Sequence, residues 1–283
     1  MGYRIFLAGA SGAIGRRLVP QLVTAGHGVT ATTRQAAKAE DIRALGADPV
    51  VVDVFDASGL RAAVLAAKPE IVIHQLTDLP AGLDPSKMAE AIARNARIRD
   101  EGTRNLVEAA KAAGAKRLVA QSIAWAYAPG PEPHDETDPL DSGAEGGRAV
   151  SVGGVIALEK HVLGASPIAG IVLRYGHLYG PGTGAAAAAD PAVHVDAAAN
   201  AALLAVERER RAPSMSRSRT AISRPTRLSP SSAGAPAFAW PSKRGSCRHD
   251  RRRFFTRPDR RRRHRCGVAW HGRSPEQQGI HRR

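Results

Sequence analysis

A glycine-rich turn between a strand and a helix constrains this chain more than any other feature. Gly9, Gly12 and Gly15 lie in the stretch AGASGAIG, residues 8–15. This stretch connects the apolar run 4–8 to an amphipathic segment, 14–25. Glycine permits the sharp turn and lets backbone N–H groups approach an anion closely. The start of the following helix adds unpaired N–H donors and the positive end of its dipole. The pattern therefore predicts a site for the pyrophosphate of a dinucleotide.

Short strand-like runs alternate with helical segments through the first 180 residues. We predict strands at 4–8, 29–33, 50–53, 71–74, 117–121 and 170–175. We predict helices at 14–25, from a capping Ser58 to just before Pro69, and from about 86 to 113. Such alternation is typical of a parallel sheet with helices on both faces. The chain is therefore predicted to be an α/β protein with a doubly wound parallel sheet.

The positive charge of the chain lies in its C-terminal segment. The formal net charge is +15, but residues 207–283 contain 22 Lys and Arg against 5 Asp and Glu, which leaves 1–206 nearly neutral. The segment is rich in Arg, Pro and Ser and shows neither a helical nor a strand period, so it is predicted to be a disordered basic tail. Cys247 and Cys266 lie within it at a spacing that matches no metal or redox motif.

The composition also limits the partners. Runs such as Arg251–Arg253 and Arg260–Arg263 bind polyanions nonspecifically, so nucleic acid is expected only as a nonspecific partner of the tail. No apolar stretch approaches the roughly 18 residues that span a bilayer, and the N-terminus has no leader pattern. We expect a soluble, cytoplasmic protein with a small-molecule substrate and no membrane partner.

Several motifs together resemble the extended or atypical short-chain dehydrogenase/reductases, also called the NAD-dependent epimerase/dehydratase family. Besides the glycine turn, these are Asp53, the GTRNL stretch 102–106, Leu173-Arg174 with the YGPG stretch 179–182, and His194-Val195-Asp196. The resemblance covers about residues 3–206. It implies a Rossmann-type NAD(P)-binding domain over 1–206, followed by the tail 207–283. It also implies an oxidoreductase or epimerase/dehydratase-like activity on a carbonyl or sugar-type substrate.

The predicted cofactor contacts lie in the glycine turn, at the end of the third strand, and just after the second, third and fourth strands, and Asp53 is the residue that ends the third strand. The predicted contacts are Gly9, Ser11, Gly12, Ala13, Ile14, Gly15, Arg34, Asp53, Val54 and Gln75. An NAD site places an acidic residue where this chain has Arg34, and an arginine there can pair with a 2′-phosphate. NADP is therefore preferred over NAD, with a solvated Arg34 as the alternative. For Asp53, the resemblance implies adenine contact, and the alternative is a turn residue.

The resemblance breaks at the reaction centre. The Tyr-x-x-x-Lys pair of that family falls on Ser151 and Val155, which cannot reproduce its acid/base chemistry near neutral pH. Ser122 and Tyr127 remain as candidate catalytic residues, and a non-catalytic dinucleotide sensor is the alternative function. The stretch 184–190 replaces a longer segment that builds part of the substrate pocket in relatives, so a reduced substrate lobe is expected. A homodimer, common among relatives, stays open.

Overall fold

The computed structural model describes residues 2–189, 191–208 and 219–222, which form an α/β fold. The strands are β1 (Arg4–Ala8), β2 (Gly28–Thr33), β3 (Asp48–Val51), β4 (Ile71–His74), β5 (Arg117–Ile123), β6 (Ala169–Tyr175), β7 (His177–Tyr179), β8 (Ala192–His194) and β9 (Arg219–Ile222). The helices are α1 (Gly15–Thr24), α2 (Ala39–Ala44), α3 (Ala57–Ala67), α4 (Met88–Arg97), α5 (Thr103–Ala112), α6 (Gly146–Leu163) and α7 (Val195–Glu207).

Seven strands form one parallel sheet in the order β3-β2-β1-β4-β5-β6-β9, and β7 and β8 form a separate parallel pair. Alternate residues of β1 point to opposite faces, so that Ile5 and Leu7 pack with α1 and α7, whereas Phe6 packs with α3, α5 and α6. Both faces are covered by helices, as expected when parallel strands are buried on both sides. The doubly wound Rossmann-type fold is thereby confirmed.

Two local predictions need correction around the third strand. β3 ends at Val51, so Asp53 lies two residues beyond the strand rather than at its end. The cap of α3 is Asp56, whose Oδ1 accepts the Gly59 N–H at 3.0 Å. The Ser58 hydroxyl instead donates to the same carboxylate at 2.8 Å. A charged acceptor binds backbone N–H groups at a helix start more strongly than a hydroxyl does, which explains why the aspartate takes this position.

The long helix predicted from 86 to 113 is divided into α4 and α5 by a π-helical segment, Ile98–Gly102. Where this segment joins α5, a Cβ on Gly102 would lie 3.0 Å from Val54 Cγ1. The wider turn thus occurs where the helix passes the loop that follows β3. Such π turns are frequent at functional sites, and this one changes which residues face the interior.

Part of the predicted tail is described, and it contains a strand. Residues 219–222 form β9 on the open edge of β6, whose unpaired backbone groups are available for pairing. The prediction of no packed structure after 206 is therefore wrong for these four residues. Asp190 and the remainder of the tail beyond Arg208 lie outside the described residues, so the tail and the domain division stay predictions. No helix of the described part is long and apolar enough to cross a membrane.

Candidate cofactor and substrate site

The glycine turn is held together by close backbone contacts. Gly9 has φ +98°, and a Cβ there would lie 2.5 Å from the Gln75 carbonyl oxygen. A Cβ on Gly15 would collide with the carbonyl oxygen of Gly9, so the start of α1 lies directly against the turn. The Gly12 N–H donates to the same oxygen at 3.2 Å. Two of the three glycines are thus required by the path of the chain itself.

Gly12 has a different environment, which fits a bound pyrophosphate. A Cβ there would meet only the Gly9 carbonyl oxygen, at 3.4 Å, and would otherwise project into open space. Within the described chain, the first turn of α1 has no acidic residue. The Arg16 guanidinium there donates to the Ser11 carbonyl oxygen at 3.2 Å. An open backbone cradle at a helix start without negative charge is suited to an anion.

The two remaining turn residues face different surroundings. Ile14 is buried in the core beneath the turn. The Ala13 methyl lies opposite Gly182 of the YGPG stretch, at 3.9 Å from the position of a Cβ on that glycine. The YGPG stretch therefore borders the glycine turn, and an open cavity of about 420 Å³ adjoins it, lined by Gly180, Pro181, Gly184, Ala185 and Ala186.

The loop after β3 carries Asp53 and Val54. Asp53 Oδ1 accepts the Phe55 N–H at 2.9 Å, so this carboxylate forms a turn, as in the alternative interpretation. The Val54 carbonyl accepts Asn105 Nδ2 at 3.0 Å, which ties the loop to the GTRNL stretch. These contacts explain why the two motifs occur together. Adenine contact by this loop stays a prediction.

Arg34 directly follows β2, as predicted, and has a partner within the chain. Its Nη2 lies 3.4 Å from Asp78 Oδ1, and Arg94 Nε lies 3.4 Å from Asp78 Oδ2. The Asp78 N–H donates to Asn95 Oδ1 at 2.8 Å, which fixes the loop after β4. The Arg34 side chain keeps 46% of its exposure, so it is accessible to a ligand.

Gln75 directly follows β4 and is almost fully buried. Neither polar atom of its amide meets hydrogen-bond geometry with another described residue. Burial raises the pKa of the neighbouring Tyr175 hydroxyl, and the Gln75 amide lowers it by less. Buried amides are normally hydrogen-bonded. The backbone carbonyl of Gln75 contacts Gly9, so an incompletely satisfied amide on this residue fits a ligand-binding role beside the turn.

The structure places Ser122 in a buried ionic cluster. Its hydroxyl donates to Glu159 Oε1 at 2.7 Å. The same carboxylate accepts Arg174 Nε at 3.0 Å and Nη2 at 2.7 Å, and both side chains are 6% exposed. The Ser122 hydroxyl is thus engaged by α6. Its predicted catalytic role stays a prediction, and the contact found is a structural one.

Tyr127 packs beside this cluster. The Arg174 guanidinium lies 4.7 Å from its ring centroid, and the His134 ring stacks on its other side at 4.7 Å. Its hydroxyl is buried without a well-formed hydrogen bond to a described residue. Burial raises the pKa of Tyr127, and the nearby Arg174 lowers it by less. The phenol therefore stays protonated at neutral pH and cannot act as a base there.

The comparisons with known proteins agree with this geometry. The family described as NAD(P)H-binding matches residues 9–190, more than half of the chain. The chain belongs to this NAD(P)H-binding family. It is 46% identical over 229 residues to a Streptomyces protein named 3-diazoavenalumate denitrifying reductase, in a match that covers 73% of each chain.

Solved structures of other proteins show the same fold. UDP-glucose 4-epimerase of Thermotoga maritima with UDP-glucose has a TM-score of 0.59 and 20% identity, covering 72% of this chain and 73% of that one. WbmH of Bordetella bronchiseptica with NAD+ has a TM-score of 0.59 and 18% identity, covering 73% of both. The family match and the shared fold are consistent with the resemblance to the extended short-chain dehydrogenase/reductases. The family match and the 46% identity to a named reductase place the chain among the NAD(P)-dependent enzymes.

Helix α6 carries Ser151 and Val155, to which the resemblance assigns the positions of the missing tyrosine and lysine. Both are buried, and Val155 packs in an apolar cluster with Ala126 and Val152. Facing Ser151 is Arg99, whose Nη1 lies 3.4 Å from the Ser151 carbonyl oxygen. Arg99 was not among the predicted site residues. The available signal was a charged residue four positions from both Asn95 and Thr103, which are buried and lie on the same side of the helix.

His74, at the end of β4, gives a pH prediction. Its ring is fully buried, and burial lowers the pKa of His74 to about 4. Nδ1 accepts the Leu76 N–H at 3.3 Å, so Nε2 carries the proton and donates to Thr103 Oγ1 at 3.0 Å. In the unfolded chain the ring takes up a second proton, at Nδ1, near the ordinary pKa of 6.5, whereas in the folded chain it does so only near pH 4. Stability is thus complete above pH 6.5 and decreases as the pH falls toward 4.

The contribution of His74 is measurable by urea unfolding between pH 7.5 and 4.5, a range of about three units. As the pH falls through the titration window, we expect the His74 contribution to lower the free energy of unfolding by up to about 1.4 kcal/mol per pH unit. The His74→Gln variant should lose this part of the slope, whereas a variant of the exposed His177, His177→Gln, should keep it. Equal slopes in the parent and His74→Gln would contradict the assignment.

Proposed function

We propose that the protein is an NADPH-dependent reductase whose substrate accepts a hydride without needing a proton, with an aromatic diazo compound as the substrate class. The observation that supports this proposal most directly is the composition of the reaction centre. Ser151 and Val155 replace the acid/base pair, and the Ser122 hydroxyl already donates to Glu159 at 2.7 Å. Reduction of a carbonyl requires a proton for the resulting alkoxide. A carbonyl or sugar-type substrate, which the resemblance implies, is therefore less well supported.

The name of the relative supports the same class, because a 3-diazoavenalumate denitrifying reductase acts on a diazo compound and removes its nitrogen. When bound, reduced nicotinamide supplies a hydride, and an aryl diazonium that gains it becomes an arene while N2 leaves with the electron pair of the C–N bond. Atoms and charge balance without an external proton. The residues of this chain need only bind the cofactor, orient the substrate and exclude water.

The test follows NADPH oxidation with a diazo derivative of 4-hydroxycinnamate as substrate. We expect one N2 released per NADPH consumed, and deuterium from labelled NADPH at the former diazo carbon by mass spectrometry. Ser122→Ala and Tyr127→Phe should each keep turnover within about threefold, since a general acid would contribute about 100-fold or more. A 100-fold loss in either variant would overturn the proton-free mechanism. NADPH binding without turnover of diazo or carbonyl compounds would instead favour a dinucleotide sensor.

For the cofactor, we propose that the 2′-phosphate of NADPH is bound by Arg34. This side chain is accessible after β2, and its only described ion pair is a long one to Asp78. A charge-assisted hydrogen bond contributes about 1.5–3 kcal/mol. Arg34→Gln should therefore weaken NADPH binding by about 10- to 100-fold and leave NADH binding unchanged.

The matched control is Arg94→Gln, because Arg94 contacts the same carboxylate from the other side. If Arg34 acted only by holding the loop at Asp78, both variants would weaken NADPH and NADH binding alike. That result in a calorimetric titration would contradict the NADPH preference.

A further inference from the structure

Arg99 lies on the π-helical segment between α4 and α5, at a close contact with α6. A Cβ on Gly154 of α6 would lie 2.8 Å from the Ala96 Cα, so the two helices approach each other here without an intervening side chain. This contact and the wider π turn place the Arg99 guanidinium against the Ser151 carbonyl oxygen at 3.4 Å. The close contact of the two helices and the π turn thus set the position of Arg99.

The charge of Arg99 has no acidic partner among the described residues. Its neighbours are already engaged: Asp100 pairs with His161 at 2.8 Å, and Glu101 pairs with Arg97 at 2.7 Å. Arg99 makes one long hydrogen bond, although a guanidinium has five N–H donors. Desolvation lowers the pKa of Arg99 to about 10, which leaves the group charged at pH 7. A desolvated, unpaired cation is costly, so its retention here requires an explanation.

The location of Arg99 points to a ligand. It lies between Ser151, to which the resemblance assigns the position of the missing catalytic tyrosine, and His74 at the carboxyl end of β4, on which its charge acts. Ligands of doubly wound sheets bind beyond the carboxyl ends of the strands. The side chain is only partly buried, so part of it still reaches open space at this edge.

We propose that Arg99 binds a carboxylate group of the substrate, so that the protein acts on an organic acid held by this group at the reaction centre. The planar guanidinium matches a carboxylate in a bidentate pair. This inference rests on the proposed function, since it names the substrate class of that site. Arg99 is a substrate-binding residue in this assignment, and it replaces neither the acid nor the base of the related enzymes.

The test measures binding rather than turnover, so that failure of the proposed reaction does not obscure it. The full chain is titrated calorimetrically with 4-hydroxycinnamate, with its amide and with UDP, each with and without NADP+. We expect the parent to prefer the acid to the amide. Arg99→Gln should weaken binding of the acid by about 10- to 100-fold and leave that of the amide unchanged. Arg99→Lys, which keeps the charge without the bidentate geometry, should lie between the two.

Arg104→Gln is the matched control, because Arg104 is an exposed arginine on the adjoining helix. It should bind the acid as the parent does. If Arg99→Gln does not fold, as judged by its unfolding transition, the acid-to-amide ratio of the parent and of Arg99→Lys decides the question. Equal affinity for acid and amide in the parent, or no binding of either, would overturn the proposal. Arg99-dependent binding of UDP would also overturn it, in favour of a nucleotide phosphate.

Discussion

Replacing Gly12 with valine is expected to abolish NADPH binding while the chain stays folded. A Cβ at Gly12 meets only the Gly9 carbonyl oxygen, at 3.4 Å, so the side chain is accommodated by the protein. The valine would instead occupy the open space in which we place the pyrophosphate, and would separate it from the backbone N–H groups. Loss of two charge-assisted hydrogen bonds at about 1.5 kcal/mol each weakens binding at least about 100-fold.

Calorimetric titration with NADPH measures this loss, and urea unfolding shows whether the fold is retained. Gly153→Val is the matched control, because a Cβ on this exposed glycine of α6 meets nothing within 4 Å. It should bind NADPH as the parent does. If Gly12→Val bound NADPH within about threefold of the parent, equivalent to less than 1 kcal/mol, the assignment of the glycine turn would fail.

Removing the charge of Glu159 is expected to destabilise the protein by about 3–5 kcal/mol, because Arg174 would remain as an uncompensated buried charge. The carboxylate makes two hydrogen bonds to Arg174, and both side chains are 6% exposed. The variant Glu159→Gln keeps the shape of the side chain and removes only its charge. Urea unfolding gives the change as a lower midpoint with an unchanged slope.

Two further variants separate charge from packing in this cluster. Ser122→Ala removes one hydrogen bond to the same carboxylate and should cost only about 1 kcal/mol. The double variant Glu159→Leu with Arg174→Met replaces the pair by apolar side chains of similar size and should recover most of the stability lost in Glu159→Gln. A double variant as unstable as Glu159→Gln would show that packing, not the unpaired charge, causes the loss.

The Ser122 result also bears on how far the sequence could predict the site. Ser122 follows the predicted fifth strand, 117–121, but it lies within β5 in the structure, and a strand alternates its side chains between two faces. Nothing local to Ser122 indicates that Glu159, 37 residues later, accepts its hydrogen bond. Arg99 escaped prediction for the same reason, because its proximity to Ser151 depends on the contact of Gly154 with Ala96.

Local residue patterns were sufficient to predict the features that depend on neighbouring residues. The glycine turn, the six predicted strands and the position of Arg34 after β2 follow from backbone freedom and hydrophobic periodicity within short windows. Contacts between distant groups could not be predicted in this way. They are the Glu159–Arg174 pair, the partners of Asp78, the π turn that carries Arg99, and the pairing of β9 with β6. These contacts depend on which helices and strands pack together across long separations in the chain, and hydrophobic periodicity shows that a face is buried but not what covers it.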